Sequence, residues 1–265
     1  MSSQQENAKL ESIKKSWQQR REITEHLSKI KTKIAVYSGK GGVGKTTVAV
    51  NLSVVLANLG NKVGILDADI DCPNVTKSFG VTEKPLYQDG KMIPSESFGV
   101  KVLSMGYFQE NEDEAIIWRG PMIHNAITQF LQNTDWGELD YLIVDLPPGT
   151  SDAPLTIMQN LPLDGFIIVA TPQNLAKLDA KRSINMVKKL KLKVLGIVEN
   201  FTGEIFGSGT GMELASDMDL PFLGALSLMG DYRDTSKPTV LVSEDVLREY
   251  KEVVLNIQNT LDNSQ

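Results

Sequence analysis

The chain has 265 residues, of which 41% are hydrophobic, and it carries a formal net charge of −6. This length and composition suffice for one α/β domain with a substantial core, and no apolar run approaches the roughly 20 residues that a membrane-spanning helix needs. The single cysteine, Cys72, excludes an intramolecular disulfide and favours a reducing compartment, so we expect a soluble cytoplasmic protein.

The N-terminal segment differs in charge from the rest of the chain. Residues 1–33 hold eight Lys or Arg and four Asp or Glu, whereas the remaining residues hold 19 and 29. Apolar side chains at mostly three- and four-residue steps predict an amphipathic helix there. They are Leu10, Ile13, Trp17, Ile23, Leu27 and Ile30. We expect a helical extension over residues 1–31, either packed on its own domain or serving as a partner-binding arm, before one domain over residues 32–265.

Residues 39–46 match the pattern G-x-x-x-x-G-K-[ST] of a phosphate-binding loop. An apolar run precedes the loop and a run of helical periodicity follows it, which is the strand, loop and helix order that this motif requires. Four glycines permit unusual φ values and close approach of phosphate to the backbone. They are Gly39, Gly41, Gly42 and Gly44. Lys45 would contact the β- and γ-phosphates and Thr46 would ligate Mg²⁺, so the motif predicts a nucleoside triphosphate site.

Short apolar runs alternate with helical runs along the rest of the domain. The predicted strands cover residues 62–67, 100–104, 141–145, 165–170, 194–198 and 222–226. The predicted helices include residues 121–132, 174–190 and 243–261. Nearly continuous apolar strands are typical of burial on both faces, so we expect a mostly parallel sheet with helices on both faces. Residues 80–99, which are rich in polar residues, are expected to form a surface excursion.

Carboxylates follow two of the predicted strands, and the carboxyl ends of parallel strands form the ligand-facing edge of such a sheet. Asp145 ends an apolar strand, as a Walker B aspartate does, and is expected to reach Mg²⁺ directly or through water. Asp67 and Asp69 are expected to orient metal and water, or alternatively to begin a loop or cap a helix. The turn at 147–149 is expected to respond to the γ-phosphate, as switch loops do.

The loop carries a second lysine, Lys40, and the stretch 39–47 resembles the deviant Walker A motif of the MinD/ParA branch of P-loop NTPases. The resemblance implies a P-loop fold of that type and a homodimer with ATP enclosed between the two copies. Lys40 would then cross the interface to the partner's nucleotide, as an arginine finger does elsewhere. The implied nucleotide-contacting residues are Gly39, Lys40, Gly41, Gly42, Val43, Gly44, Lys45, Thr46 and Thr47.

Further blocks resemble the Mrp/ApbC family of ATP-dependent iron-sulfur cluster carriers. They lie, in the order of that family, at residues 117–122, 136–150, 171–180, 198–200 and 205–209. The resemblance implies that Asp69 positions or activates the attacking water, that Asp145 serves Mg²⁺ and that Asn200 hydrogen-bonds the adenine. With the two loop lysines, Lys40 and Lys45, Asp69 completes the set of implied catalytic side chains.

One feature departs from that family. Most of its members carry a Cys-x-x-Cys pair between the positions of Asn200 and Ile205, whereas this chain has Phe-Thr-Gly-Glu there. A four-iron cluster usually takes four thiolates, and a dimer of this chain offers only the two copies of Cys72. Cys72 is either a packed small hydrophobe or a cluster ligand near the dimer interface. His26 and His124 are isolated in the sequence, and we expect packing or surface roles for both.

Two functions fit these expectations. One is a slow ATPase that carries or assembles iron-sulfur clusters and delivers them to apo-proteins, or acts with other assembly proteins. The other is an ATP-gated dimeric switch or adaptor that has lost cluster binding and regulates protein partners. Nucleic acid and membrane surfaces are not expected as partners, because the body is acidic and the tail at 246–265 lacks a basic face.

Overall fold

The structure is a computed structural model that describes residues 11, 14, 17–18, 21–70, 72–108 and 120–263. The strands are β1 (Ile30–Tyr37), β2 (Val63–Asp67), β3 (Leu86–Gln88), β4 (Lys91–Ile93), β5 (Ser95–Ser97), β6 (Val100–Ser104), β7 (Leu139–Asp145), β8 (Gly165–Ala170), β9 (Val194–Thr202) and β10 (Phe222–Ser227). The α-helices are α1 (Lys45–Asn58), α2 (Val75–Ser78), α3 (Gly120–Asn133), α4 (Asp152–Asn160), α5 (Asn174–Lys189), α6 (Thr210–Met218) and α7 (Glu244–Asp262). Short 3₁₀ helices cover Leu27–Lys29, Met105–Phe108, Gly230–Arg233 and Thr239–Leu241.

Eight of these strands form one sheet in the order β10-β9-β8-β1-β7-β2-β6-β5. Neighbouring strands are parallel except β5, which pairs antiparallel with β6 at one edge. The central strands are nearly continuous runs of Val, Ile, Leu and Ala with buried side chains, as strands covered by helices on both faces must be. The mostly parallel α/β sheet predicted from the sequence is confirmed.

Helices cover both faces of this sheet. Helices α1, α2 and α7 bury apolar side chains against one face, and α3, α4, α5 and α6 bury theirs against the other. Strands β1, β2 and β7 run in the same direction and are paired in register, so that Val36 and Asp67 both lie opposite Asp145. The carboxyl ends of three strands therefore meet at one edge of the sheet, and this edge positions the candidate site.

Residues 80–99 are mostly exposed, as expected for a surface excursion, but they contain strands that the sequence did not predict. Strands β3 and β4 form an antiparallel hairpin, and β5 extends the main sheet at its edge. Each of the three strands has only three residues, which is too short for alternation of polar and apolar side chains to indicate a strand.

The N-terminal segment packs on the domain at Ile23 and Leu27. Residues 21–26 are helical, and Ile23 and Leu27 are buried in the same core as α3. His26 Nε2 lies 2.5 Å from the carbonyl oxygen of Thr134, which gives this histidine a packing role. Trp17, in contrast, is 76% exposed. The apolar face predicted for this segment is thus buried near its carboxyl end and exposed at Trp17.

The first strand begins earlier than its apolar run indicates. Ile30 was expected on the helical face, but it begins β1, where it pairs with Leu139 of β7. The expected division between residues 31 and 32 therefore falls inside a strand. Leu10, Ile13 and the side chain of His124 lie outside the described residues.

Helix α7 is the longest of the helices given above, with 19 residues. One face carries the buried side chains Val246, Tyr250, Val253, Val254 and Ile257. Among the described helices, none combines the length and the apolar content that crossing a bilayer requires.

Candidate nucleotide site

The phosphate loop connects β1 to α1, which begins at Lys45. Gly42 and Gly44 have φ values of 78° and 77°, in the region that favours glycine. Gly44 also has no space for a side chain, because a Cβ there would lie 2.2 Å from Asn200 Nδ2. The N-terminus of α1 follows the loop directly, and such a helix N-terminus supplies backbone N–H donors for phosphate. The loop conformation therefore depends on Gly44, which the motif specifies, and on Gly42, which it does not.

Lys45 and Thr46 both contact the carboxylate of Asp145. Lys45 Nζ lies 2.5 Å from Asp145 Oδ1, and Thr46 Oγ1 donates to Asp145 Oδ2 at 2.6 Å. The side chain of Asp145 is fully buried and that of Lys45 is 6% exposed. The structure thus brings three of the predicted site residues together. The hydroxyl and carboxylate oxygens among them are the ligand type that Mg²⁺ prefers.

Asp67 lies beside Asp145 at the carboxyl end of β2. Its carboxylate accepts hydrogen bonds from the Ser104 hydroxyl at 3.0 Å and from the backbone N–H of Val75 at 3.2 Å. Burial, and next the charge of Asp145, raises the pKa of Asp67 to about 8. A cation bound between two such carboxylates would stabilise their charged forms. The donor set therefore fits a hard divalent ion such as Mg²⁺.

A pocket of about 370 Å³ lies against the loop, and Lys45, Asp69 and Cys72 belong to its walls. Asp69 is 7% exposed, and its Oδ1 accepts a hydrogen bond from the backbone N–H of Cys72 at 3.2 Å. Cys72 itself is exposed. Of the two alternatives for Cys72, the packed hydrophobe is therefore wrong, and the residue lies in a wall of the pocket beside the phosphate loop.

Lys40 belongs to the same pocket but does not take part in the buried contacts of Lys45. Its Nζ lies 3.4 Å from Gln173 Oε1 in an exposed position. A neutral amide oxygen offsets an ammonium charge less well than a carboxylate does, so Lys40 is suited to contact a further anion. Gly39, before it, packs closely on α5, where a Cβ would lie 2.1 Å from the carbonyl oxygen of Asp179.

Asn200 lies on β9 beside the phosphate loop. Its Nδ2 donates to the carbonyl oxygen of Val43 at 2.9 Å, and the residue is 1% exposed. Thr47, on the helix behind the loop, accepts at its carbonyl oxygen from Asn51 Nδ2 at 2.9 Å and from the Tyr250 hydroxyl at 3.4 Å. These contacts fix the loop and the start of α1 against β9 and α7.

Asn200→Asp is expected to destabilise the fold by about 1–3 kcal/mol, because a carboxylate oxygen would replace the donor and face the Val43 carbonyl oxygen in a buried position. Chemical denaturation checks this. Asn256→Asp is the matched control, since the Nδ2 of Asn256 also donates to a carbonyl oxygen, that of Leu223, at 3.0 Å, but from an exposed residue. Equal losses of stability in both variants would contradict the prediction.

Two residues of the site were not predicted. Ser104 ends β6 next to β2 and binds the Asp67 carboxylate. Ser104 lies at the carboxyl end of its strand, where ligands bind in a parallel sheet. Only acidic residues at strand ends were predicted from the sequence, and including hydroxyl side chains would have found Ser104. Gln173, which contacts Lys40, lies in one of the family-like blocks but carries no chemistry that distinguishes it in the sequence.

The comparisons with known proteins agree with this geometry. A family model described as ParA, NUBPL iron-transfer P-loop NTPase, matches residues 29–261. The iron-sulfur cluster carrier protein of Methanocaldococcus jannaschii is 44% identical over 256 residues, which cover 91% of this chain and 88% of that protein. The iron-sulfur protein required for NADH dehydrogenase, mitochondrial, of Arabidopsis thaliana is 42% identical over 245 residues, or 86% of this chain and 78% of that protein.

Solved structures give the same result. The nucleotide-binding protein from Archaeoglobus fulgidus in complex with ADP is 36% identical, with a TM-score of 0.70 and coverage of 89% of this chain and 92% of that one. The cell division ATPase MinD of Pyrococcus furiosus, at 20% identity, shows the fold alone, with a TM-score of 0.68 and coverage of 87% and 99%. By the family match and these identities over most of its length, the chain belongs to the family of NUBPL-type iron-transfer P-loop NTPases.

Proposed function

We propose that this protein is an ATP-binding and ATP-hydrolysing carrier of iron-sulfur clusters, which acts as a homodimer in the cytoplasm and delivers clusters to apo-proteins. One observation carries the proposal. The Lys45 side chain that the phosphate motif requires meets Asp145 at a pocket whose walls also include the exposed Cys72. The residues proposed to bind the nucleotide therefore line the same pocket as the cysteine proposed to bind the cluster.

In this proposal, different residues of the pocket bind the phosphates, ligate Mg²⁺ and position the attacking water. Backbone N–H groups of the loop and the Lys45 ammonium group bind the phosphates. Thr46, Asp67 and Asp145 would supply oxygen ligands for Mg²⁺, which would offset negative charge on the phosphates when bound. Asp69, on the pocket wall, accepts a proton from the attacking water or orients it. We propose that Asn200 and the loop glycines complete the nucleotide site.

The position of Lys40 supports the proposed homodimer. Its Nζ contacts only the Gln173 amide among the hydrogen bonds that the structure gives for it, at the exposed side of the pocket. We propose that it reaches the phosphates bound by the partner subunit, where a second cation would stabilise charge that develops during hydrolysis. Hydrolysis would then require two copies of the chain and would be slow in the isolated protein.

The cargo is assigned from the exposed thiol and from the family. The Methanocaldococcus jannaschii relative is named an iron-sulfur cluster carrier protein, and thiolate is the usual protein ligand for such clusters. The groups of His, Cys, Asp and Glu among the described residues include none of three or more that would hold a metal ion. We propose that two copies of Cys72, one from each subunit, bind a cluster together with thiols of a client protein or of a small molecule.

Anaerobic reconstitution with iron, sulfide and a small-molecule thiol tests the cargo assignment. We expect the wild type with ATP to bind iron and to show the visible absorption of a cluster, and Cys72→Ser to lose both. Because Cys72 is exposed, the substitution is expected to change the stability by no more than about 0.5 kcal/mol. Wild-type iron binding no higher than that of Cys72→Ser, with no absorption band, would contradict carriage and favour an ATP-gated adaptor.

A further inference from the structure

Tyr37, at the end of β1, holds the loop that follows Asp145. Its side chain is fully buried, and its hydroxyl donates to the carbonyl oxygen of Gly149. The N–H of Gly149 in turn donates to the carbonyl oxygen of Ser38 at 3.0 Å. Both backbone polar groups of Gly149 are therefore bound by the two consecutive residues that lead into the phosphate loop.

The tyrosine is fixed from the other side by α5. Its hydroxyl lies 3.5 Å from Met186 Sδ. Burial raises the pKa of Tyr37, and hydrogen bonding with Ser183 opposes this shift only in part. The phenol is therefore protonated near neutral pH and remains a hydrogen-bond donor.

The residues between Asp145 and Gly149 form part of the pocket. Pro147 and Pro148 belong to its walls, together with Lys45. Proline has a nearly fixed φ, so two consecutive prolines restrict the conformations that this segment can adopt. Gly149 has a φ of 81°, which glycine adopts readily. Anchoring Gly149 therefore holds one end of a conformationally restricted segment whose other end joins the backbone of Asp145 at the end of β7.

We propose that Tyr37 is a positioning residue for nucleotide hydrolysis, whose hydroxyl anchors the 147–149 loop and thereby holds Pro147 and Pro148 at the phosphate pocket. This inference rests on the ATPase activity proposed above. Tyr37 does not touch the nucleotide in this scheme, so it acts on turnover and not on affinity.

Tyr37→Phe tests the anchor, because it keeps the ring and removes only the hydroxyl. We expect kcat for ATP hydrolysis to fall about fivefold, the size of effect that one hydrogen bond of ordinary strength has on an equilibrium, and the Kd of a nonhydrolysable ATP analogue to stay within about twofold. Hydrogen-deuterium exchange of the amides at 146–152 should become faster. Tyr141→Phe is the control, since Tyr141 lies toward the opposite, amino end of β7.

A second variant approaches the same anchor from the loop. Gly149→Ala leaves Tyr37 intact but strains the backbone at a φ of 81°, and we expect faster exchange in the same segment. If Tyr37→Phe does not fold, amide exchange at 146–152 in Gly149→Ala tests whether the conformation of Gly149 holds this loop.

The outcomes separate the two levels of the proposal. Faster exchange at 146–152 together with reduced kcat and unchanged affinity supports the positioning role of Tyr37. If exchange at 146–152 is unchanged in Tyr37→Phe, the hydroxyl does not anchor the loop. If kcat is unchanged, or if affinity falls as much as kcat does, Tyr37 is not a positioning residue for hydrolysis. A wild type without any ATPase activity would overturn the proposed function and the positioning role, whereas exchange with the bound analogue would still decide whether the anchor exists.

Discussion

Replacing Lys45 with alanine is expected to weaken ATP binding by about 10- to 100-fold, because a hydrogen bond to a charged group contributes about 1.5–3 kcal/mol. The same change removes the partner of a fully buried carboxylate, since Lys45 Nζ lies 2.5 Å from Asp145 Oδ1. An unpaired buried charge costs about 3–5 kcal/mol, so the variant should also unfold at lower denaturant concentration. We therefore expect the variant to lose both affinity and stability, because Lys45 is proposed to bind phosphate and also pairs with the buried Asp145 carboxylate.

Calorimetric titration with the magnesium complex of a nonhydrolysable ATP analogue measures the affinity, and denaturant unfolding measures the stability. Lys45→Gln is a second variant, which keeps a neutral donor and is expected to lose less stability than alanine while losing similar affinity. Circular dichroism at the titration temperature shows whether each variant is folded, so that weaker binding is not confused with unfolding.

Lys40→Ala is the matched control within the same loop. Lys40 contacts the exposed Gln173 amide at 3.4 Å and no buried carboxylate in the structure. Its removal should change the stability by less than about 0.5 kcal/mol and the affinity by less than about threefold, while suppressing turnover or ATP-dependent dimerisation. Equal losses of affinity in the Lys40 and Lys45 variants would contradict the role of Lys40 across the interface.

The fold could be predicted in outline because its strands are buried on both faces. The predicted runs at 62–67, 100–104 and 141–145 correspond to β2, β6 and β7, and continuous apolar runs of this length indicate parallel strands. In a parallel sheet, ligands bind at the carboxyl ends of the strands, so acidic residues at strand ends are candidate site residues. On this basis the sequence predicts that Asp67 and Asp145 lie at the same edge of the sheet, and the two residues are paired between β2 and β7.

The rest of the site could not be predicted because it depends on the order of strands in the sheet and on packing between layers. β1 lies between β7 and β8, far from its neighbours in sequence. This order creates the contact of Tyr37 with Gly149, which are 112 residues apart. The burial of the Asp67 carboxylate, and with it a pKa of about 8, likewise depends on packing around β2. Short motifs show which groups are available, but not which of them are buried together.

Asp69→Asn is expected to lower kcat for ATP hydrolysis by about 100-fold, at the lower end of what a positioned general base contributes, while affinity stays within about threefold. The reason lies in the geometry of Asp69. Its carboxylate is on the pocket wall, and its Oδ1 accepts the backbone N–H of Cys72 at 3.2 Å. An asparagine Oδ1 accepts the same hydrogen bond, so the contact with the Cys72 N–H should be kept while the ability to accept a proton is lost.

Steady-state phosphate release and analogue binding, measured on the same preparations, separate these effects. Asp89→Asn is the control, because Asp89 lies in the exposed turn between β3 and β4 with a φ of 51°, which asparagine also tolerates. If the Asp69 carboxylate is catalytic, kcat should fall strongly in Asp69→Asn and stay unchanged in Asp89→Asn. If turnover of Asp69→Asn equals that of the control, Asp69 neither activates nor orients the water, and the reaction must depend on the phosphate loop and the metal ligands without a base at this position.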